Sequence, residues 1–216
     1  NRLRLILARD PSKHLSENTL RNNVYDYDDK FIYVGLNAGV DSATNAIETI
    51  SYAHHEAHAG SHYQNEMFVA VPADDILDIR FVTPASTKWL HWIIEYNTEA
   101  EFEFTMYEAI TITNAGTALT AINNNRNSTN TSGLTAFDYI TNVNIAAANS
   151  DTGLGSAIIL GQGHTGSGRS QAGSSFDRGA EIILKSGTGY CLRFDNESNA
   201  EKYVDWKMEW YEHTNK

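Results

Sequence analysis

The chain has 216 residues and a formal net charge of −11, with 41% hydrophobic and 20% charged residues. A chain of this length can bury one sizeable core, and it contains no apolar run near the roughly 20 residues that cross a bilayer. Its negative charge disfavours contact with phosphate backbones, so we expect neither nucleic acid nor a membrane as a partner. The single cysteine, Cys191, has no partner within the chain for a disulfide.

The first 23 residues differ in charge from the rest of the chain. They hold five basic and two acidic residues, a net charge of +3, which leaves −14 for the remainder. Their opening segment alternates leucine with arginine as an edge strand does, and its alternating residues are Arg2, Leu3, Arg4, Leu5 and Leu7. We predict that residues 1–23 form a basic arm that docks through these residues on another subunit, and that residues 24–216 form one domain.

The stretch "SYAHHEAHAGSHY", residues 51–63, concentrates histidines. It misses the zinc-protease pattern H-E-x-x-H because the second histidine follows the first by three residues instead of four. In a strand, His54, Glu56 and His58 would share one face and could present ligands to a metal. Hydrogen-bonded histidines at a sandwich edge or subunit interface are the favoured interpretation. We therefore predict no metal and no cofactor, and a structural or interface role for His54, His55, Glu56, His58 and His62.

Alternation of apolar and polar residues with period two dominates the body of the chain. It runs through residues 76–82, 88–96, 100–112 and 202–210. This period is typical of strands, and we find no sustained helical period. "EIILKSGTGYCLRF", residues 181–194, is interpreted as a hairpin around a glycine-containing turn. The sequence thus predicts an all-β fold, a β-sandwich or jelly roll, with Trp92, Trp206 and Trp210 in the core and Trp89 exposed.

Two segments interrupt the alternation and are rich in Asn, Thr, Ser and Gly, namely residues 113–135 and 149–175. We predict long loops there. The second contains "GHTGSGRS", which resembles a phosphate-binding loop with Arg169 in place of lysine but has no helix after it, so a flexible loop is expected. Glu101 and Glu103 are interpreted as part of a solvated acidic face, and no catalytic residue is predicted.

Five segments occur in a fixed order between residues 46 and 214. They are "AIETISYAHHEAHAGSHY", "FVTPASTKWLHWIIEYNTEAEFEFTMYEA", "INNNRNS", "EIILKSGTGYCLRF" and "KMEWYEHT". In this order they resemble a family of structural proteins of tailed bacteriophages. The resemblance implies a non-enzymatic virion protein on the capsid surface, a head decoration or cement-like subunit that binds the major capsid protein. We also expect copies of the chain to associate with cyclic symmetry, with a trimer favoured.

Two other functions compete with this one. A tail- or fibre-associated module that binds carbohydrate or a receptor would use Trp89, His91 and the long loops against a sugar. A metal-dependent hydrolase would use His54, Glu56 and His58.

Overall fold

The structure is a computed structural model that describes residues 22–25, 31–34, 52–141, 153–166, 172–175 and 181–214. The chain divides into two compact units, Asn1–Ser51 and Tyr52–Lys216. The predicted boundary after residue 23 stays a prediction. The predicted arm residues lie outside the described part of the chain; they are Arg2, Leu3, Arg4, Leu5 and Leu7.

In the first unit, strands β1 (Asn22–Tyr25) and β2 (Phe31–Val34) form an antiparallel pair. Asn22 lies opposite Val34, and Tyr25 lies opposite Phe31.

The second unit contains one short helix and twelve described strands. In chain order they are α1 (Tyr52–Ala59), β3 (His62–Val71), β4 (Ile76–Val82), β5 (Lys88–Thr98), β6 (Phe102–Ile110), β7 (Thr117–Ala118), β8 (Ile122–Asn123), β9 (Thr135–Thr141), β10 (Ile158–Thr165), β11 (Ala172–Ser175), β12 (Ile182–Leu184), β13 (Gly189–Asn196) and β14 (Lys202–Thr214).

The strands of the second unit form two antiparallel sheets. The first sheet has the order β11-β5-β14-β3-β8, with β12 also paired to β5, and the second has the order β10-β6-β13-β4-β9-β7. The successive long strands β3, β4, β5 and β6 alternate between the sheets. The last strand, β14, lies between β3 and β5, while β13 lies between β4 and β6. This is the strand order of a jelly roll, and the predicted all-β sandwich is confirmed.

Aromatic residues fill the space between the two sheets. Trp92, Trp206 and Trp210 are buried, whereas 41% of the Trp89 surface is exposed. The first sheet meets the second through stacked rings such as Tyr96 and Phe104, whose centroids are 4.9 Å apart. The period-two pattern therefore assigned all four tryptophans to the correct side of their strands, because successive side chains in a strand point to opposite faces.

The predicted hairpin at residues 181–194 is wrong. Strand β12 pairs with β5 in the first sheet, whereas β13 pairs with β4 and β6 in the second. The chain crosses between the sheets at a turn where Gly187 has a φ of +62°, a conformation that suits glycine. Alternation reports which side chains face the core but not which sheet a strand joins, so a crossing and a hairpin leave the same sequence pattern.

The second predicted loop, residues 149–175, is also partly wrong. It contains β10, whose residues 158–162 and 164 are exposed, and the short strand β11. Strand β10 pairs with β6 at the edge of the second sheet. Because an edge strand with little buried surface needs no alternation, "IILGQGHT" carries no period-two signal.

Charged residues lie on the outer face of the second sheet, where other segments of the chain cover them. Arg193 donates two hydrogen bonds to the carboxylate of buried Asp78, 2.8 and 2.7 Å long. Fully buried Arg80 donates from Nε to Asp138, 2.9 Å away. Leu154 and nearby apolar residues pack over this face around buried Cys191. Both ion pairs are thus parts of the fold rather than surface features.

Candidate functional site

The histidine-rich stretch forms a helix, so the strand on which the metal alternative depends is not present at these residues. Helix α1 contains three alanines, the strongest helix formers, and is followed by Gly60, whose φ of +73° is typical of the residue after a helix. Four residues apart on one turn, His54 and His58 are exposed and their Nε2 atoms are 2.9 Å apart. Glu56 points elsewhere and is buried.

Buried Glu56 ties the end of the helix to the following strand. Its carboxylate accepts a hydrogen bond from the hydroxyl of Ser61 and lies 3.3 Å from Nδ1 of His55. The proposed metal set of His54, Glu56 and His58 is therefore not assembled, since the carboxylate faces the protein while the two imidazoles face outward.

The asparagine-rich segment "INNNRNS" completes the end of helix α1. Within this segment the side-chain amides of Asn123 and Asn125 donate to the carbonyls of Gly60 and His58, at 2.9 and 3.0 Å. Two residues after it, the amide of Asn130 donates to the carbonyl of Gly60 at 3.2 Å. The last carbonyls of a helix have no partner within the helix, and these amides supply one. Segments whose contacting residues are 63 and 67 positions apart in the sequence are thus joined at the end of the helix.

A row of polar side chains crosses the outer face of the first sheet beside this unit. His62 of β3, Tyr211 of β14 and His91 of β5 are direct cross-strand neighbours. The rings of His91 and Tyr211 stack with centroids 4.5 Å apart. Glu181, just before β12, accepts a hydrogen bond of 2.8 Å from the Tyr211 hydroxyl and also contacts Nδ1 of His91. The row continues to His213, whose Nε2 is 2.7 Å from Nε2 of His91. We call these five residues the histidine row.

The histidine row is held together by internal contacts. Both ring nitrogens of His91 have partners within the chain. Tyr211 and His62 are buried, with 6% and 7% of their surfaces exposed. A general base needs a ring nitrogen within reach of a substrate proton. The geometry around His91 therefore favours a structural role over turnover. Of the five residues predicted from the histidine-rich stretch, only His62 belongs to the row.

Exposed aliphatic residues concentrate on two strands at sheet edges. On β10, Ile158 and Ile159 are each 51% exposed and Leu160 is 42% exposed; on β12, Ile182 is 36% and Ile183 is 51% exposed. Among the described strands, β10 pairs only with β6, and β12 only with β5. We call these five residues the aliphatic edge.

Side-chain contacts place β10 and β12 at the same side of the sandwich. The hydroxyls of Thr98 on β5 and Thr165 on β10 are 2.9 Å apart, which joins the two sheets there. Directly after β12, the ammonium of Lys185 lies 2.6 Å from the carboxylate of Glu108 on β6, and Glu108 is the cross-strand neighbour of Ile158. Strands β10 and β12 therefore lie on the same side of the sandwich.

Neither the histidine row nor the aliphatic edge was predicted. Glu181, His91 and Tyr211 are up to 120 residues apart, and only the strand order brings them together. The run of isoleucine and leucine at residues 158–160 is a weak signal of the aliphatic edge. Successive side chains of a strand point to opposite faces, so a strand with one buried face cannot bury all three of these residues.

Comparisons with protein-family models, with curated proteins and with solved structures find no match to this chain. Within the described ranges, no helix has the length and apolar character needed to cross a bilayer. The fold defines the protein as a jelly-roll β-sandwich.

Proposed function

We propose that the chain is a non-enzymatic structural protein of a tailed-bacteriophage virion, most simply a head decoration or cement subunit on the capsid surface. Its partners are the major capsid protein and further copies of itself. The resemblance of five sequence segments to phage structural proteins suggests this role. A jelly roll with long loops is compatible with it, although the fold by itself serves many functions.

The observation that carries the proposal is the aliphatic edge. Soluble monomers rarely leave a contiguous apolar patch uncovered, and a sheet edge offers backbone groups to which another strand can pair. Ile158, Ile159 and Ile183 are each 51% exposed, and they lie on strands that pair on one side only among the described strands. The occupant that fits is a second copy of this chain, because β10 of one copy can meet β12 of the next, and a head-to-tail contact of this kind can close into a ring.

Charge distribution supports attachment of the assembled protein to a shell. The residues after the first 23 carry −14, and residues 1–23 carry +3. A basic, leucine-containing segment can add to a strand edge or bind an acidic surface on a neighbouring subunit. The predicted arm would then bind a neighbouring copy or the capsid shell. The negative charge of the body would keep virus particles dispersed by mutual repulsion.

The proposal is tested by binding the purified full chain to phage heads that lack it. Sedimentation of the heads should carry the chain into the pellet at a saturating, fixed ratio to the major capsid protein, and gold-labelled antibody should mark the head. Recovery of all of the chain in the supernatant, or antibody labelling confined to the tail, would contradict the proposal.

A carbohydrate- or receptor-binding module of a tail or fibre is the second candidate. Exposed Trp89 favours it, because an open indole can stack on a sugar ring, and its cross-strand neighbour is His213 of the histidine row. Binding to a glycan array that disappears in Trp89→Ala, together with tail labelling, would select this function over the first.

A further inference from the structure

Three residues of the second sheet bring ligand atoms together at one end of the sandwich. Glu101 directly precedes β6, His164 lies in β10 and Glu197 directly follows β13. One ligand atom from each residue lies within 4.8 Å of the other two. The three strands are neighbours in the order β10-β6-β13, so the sheet itself positions the group.

The backbone beneath these side chains is held by buried contacts. The amide of Glu197 donates to the carbonyl of Glu101 at 3.3 Å. Next to His164, the buried hydroxyl of Thr165 accepts a hydrogen bond of 2.9 Å from the amide of Phe102. The ligand-bearing positions are therefore fixed relative to one another, while the side chains reach solvent, with 51% of His164, 39% of Glu101 and 43% of Glu197 exposed.

The distances between the ligand atoms distinguish this group from ordinary hydrogen-bonded pairs. Nε2 of His164 is 3.5 Å from Glu101 Oε1 and 3.6 Å from Glu197 Oε2. Hydrogen bonds from nitrogen to oxygen span about 2.7–3.2 Å. Two ligands at tetrahedral angles around one zinc ion, each about 2.1 Å from it, are about 3.4 Å apart. The observed separations exceed hydrogen-bond lengths, fall within the range of ion pairs and match the spacing of two ligands on one zinc ion.

Two pairs of neighbouring histidines among the described residues are closer together than the proposed ligands are. Nε2 atoms are 2.9 Å apart between His54 and His58 and 2.7 Å apart between His91 and His213. Both distances are those of hydrogen bonds, and an ion between the nitrogens would have to push the rings apart.

Negative charge is concentrated around the three residues. Glu103 of β6 is the cross-strand neighbour of both His164 on β10 and Asp195 on β13. A cation here would relieve repulsion among these carboxylates.

We propose that Glu101, His164 and Glu197 form a binding site for a divalent transition-metal ion, zinc in the first instance. Imidazole together with carboxylates suits Zn²⁺, whereas Ca²⁺ and Mg²⁺ take oxygen ligands almost exclusively. Three protein ligands leave a fourth position for water or for a group from another molecule. The site ties edge strand β10 to the connections at the ends of β6 and β13, and it is independent of the proposed virion role.

Isothermal titration of the full chain with Zn²⁺ tests this inference, after the protein has been stripped with a chelator and dialysed. We expect one Zn²⁺ per chain at this site, and His164→Ala should weaken binding by at least about tenfold, as loss of even an outer-shell partner does. Glu101→Gln and Glu197→Gln should each weaken it as well. At Zn²⁺ concentrations near 100 times Kd, the wild-type Tm should rise by about 5–10 °C.

The double variant His54→Ala/His58→Ala is the matched control, because it removes an exposed histidine pair from helix α1. It should bind Zn²⁺ as the wild type does. Far-UV circular dichroism and the Tm measured in chelator check that the variants are folded. We expect them to fold because the replaced side chains are exposed. Unchanged binding in His164→Ala, binding lost in the α1 variant instead, displacement of Zn²⁺ by equimolar Ca²⁺, or no heat of binding would each overturn the site.

Discussion

Replacing Asp78 by asparagine removes one charge from the cross-strand ion pair between β4 and β13. Asp78 has no exposed surface, and only 12% of the Arg193 side chain reaches solvent. Loss of one partner from a buried pair costs about 3–5 kcal/mol, because the other charge stays buried and uncompensated. The slight exposure of Arg193 favours the lower end, about 3 kcal/mol, which corresponds to a decrease in Tm of about 6–12 °C for a body of this size.

The matched control is Glu209→Gln, which breaks the pair between Lys207 and Glu209 at the surface. Their charged atoms are 3.0 Å apart, but the side chains are 37% and 29% exposed. Surface pairs contribute about 0–1 kcal/mol, so its Tm should fall by at most about 4 °C. Thermal and urea unfolding, followed by circular dichroism, measure both variants. Equal losses for Asp78→Asn and Glu209→Gln would refute the reasoning from burial.

Three further expectations concern the thiol, the pH dependence and the arm. Burial raises the pKa of the Cys191 thiol well above its ordinary value, so iodoacetamide should label it only in denaturant; rapid labelling of folded protein at pH 8 would contradict its position. Hydrogen bonds from Lys185 and Tyr190 hold the pKa of Glu108 below its ordinary value. Ionised Glu108 therefore stabilises the fold at pH values above the ordinary pKa of a glutamate, and this contribution is lost as the pH falls through the lower pKa of the folded protein. The Tm of Glu108→Gln should therefore fall less steeply than that of the wild type between about pH 5 and pH 3. Deleting residues 1–13 should leave the Tm of the body unchanged, while head binding weakens and becomes less sensitive to salt; unchanged head binding would refute the arm hypothesis.

The core of the sandwich could be predicted because it depends on one local rule. Trp92, Trp206 and Trp210 share the apolar side of alternating strands, and that side has to be buried whatever the strand order is. The rule fails where a segment is short or lies at an edge. Helix α1 has only eight residues and no apolar face of its own, and β10 is exposed along most of its length.

The sites could not be predicted because they depend on the pairing of distant strands. His91 and Tyr211 become neighbours only through the register of β5 with β14. Glu101, His164 and Glu197 come together only because β6 lies between β10 and β13. Polar residues on the outward side of a strand carry no signal of their partners, since the same pattern fits any solvent-facing position.

Self-association through the aliphatic edge is the central claim, and sedimentation equilibrium of the full chain tests it most directly. The double variant Ile159→Lys/Ile183→Lys places two charges on the edge, and Ile122→Lys is the control, since Ile122 is 40% exposed on β8 at the other end of the first sheet. We predict that the wild type and Ile122→Lys form the same closed oligomer, with a trimer favoured, and that the double variant sediments as a folded monomer. A monomeric wild type, or a double variant with the mass of the wild-type oligomer, would contradict the account.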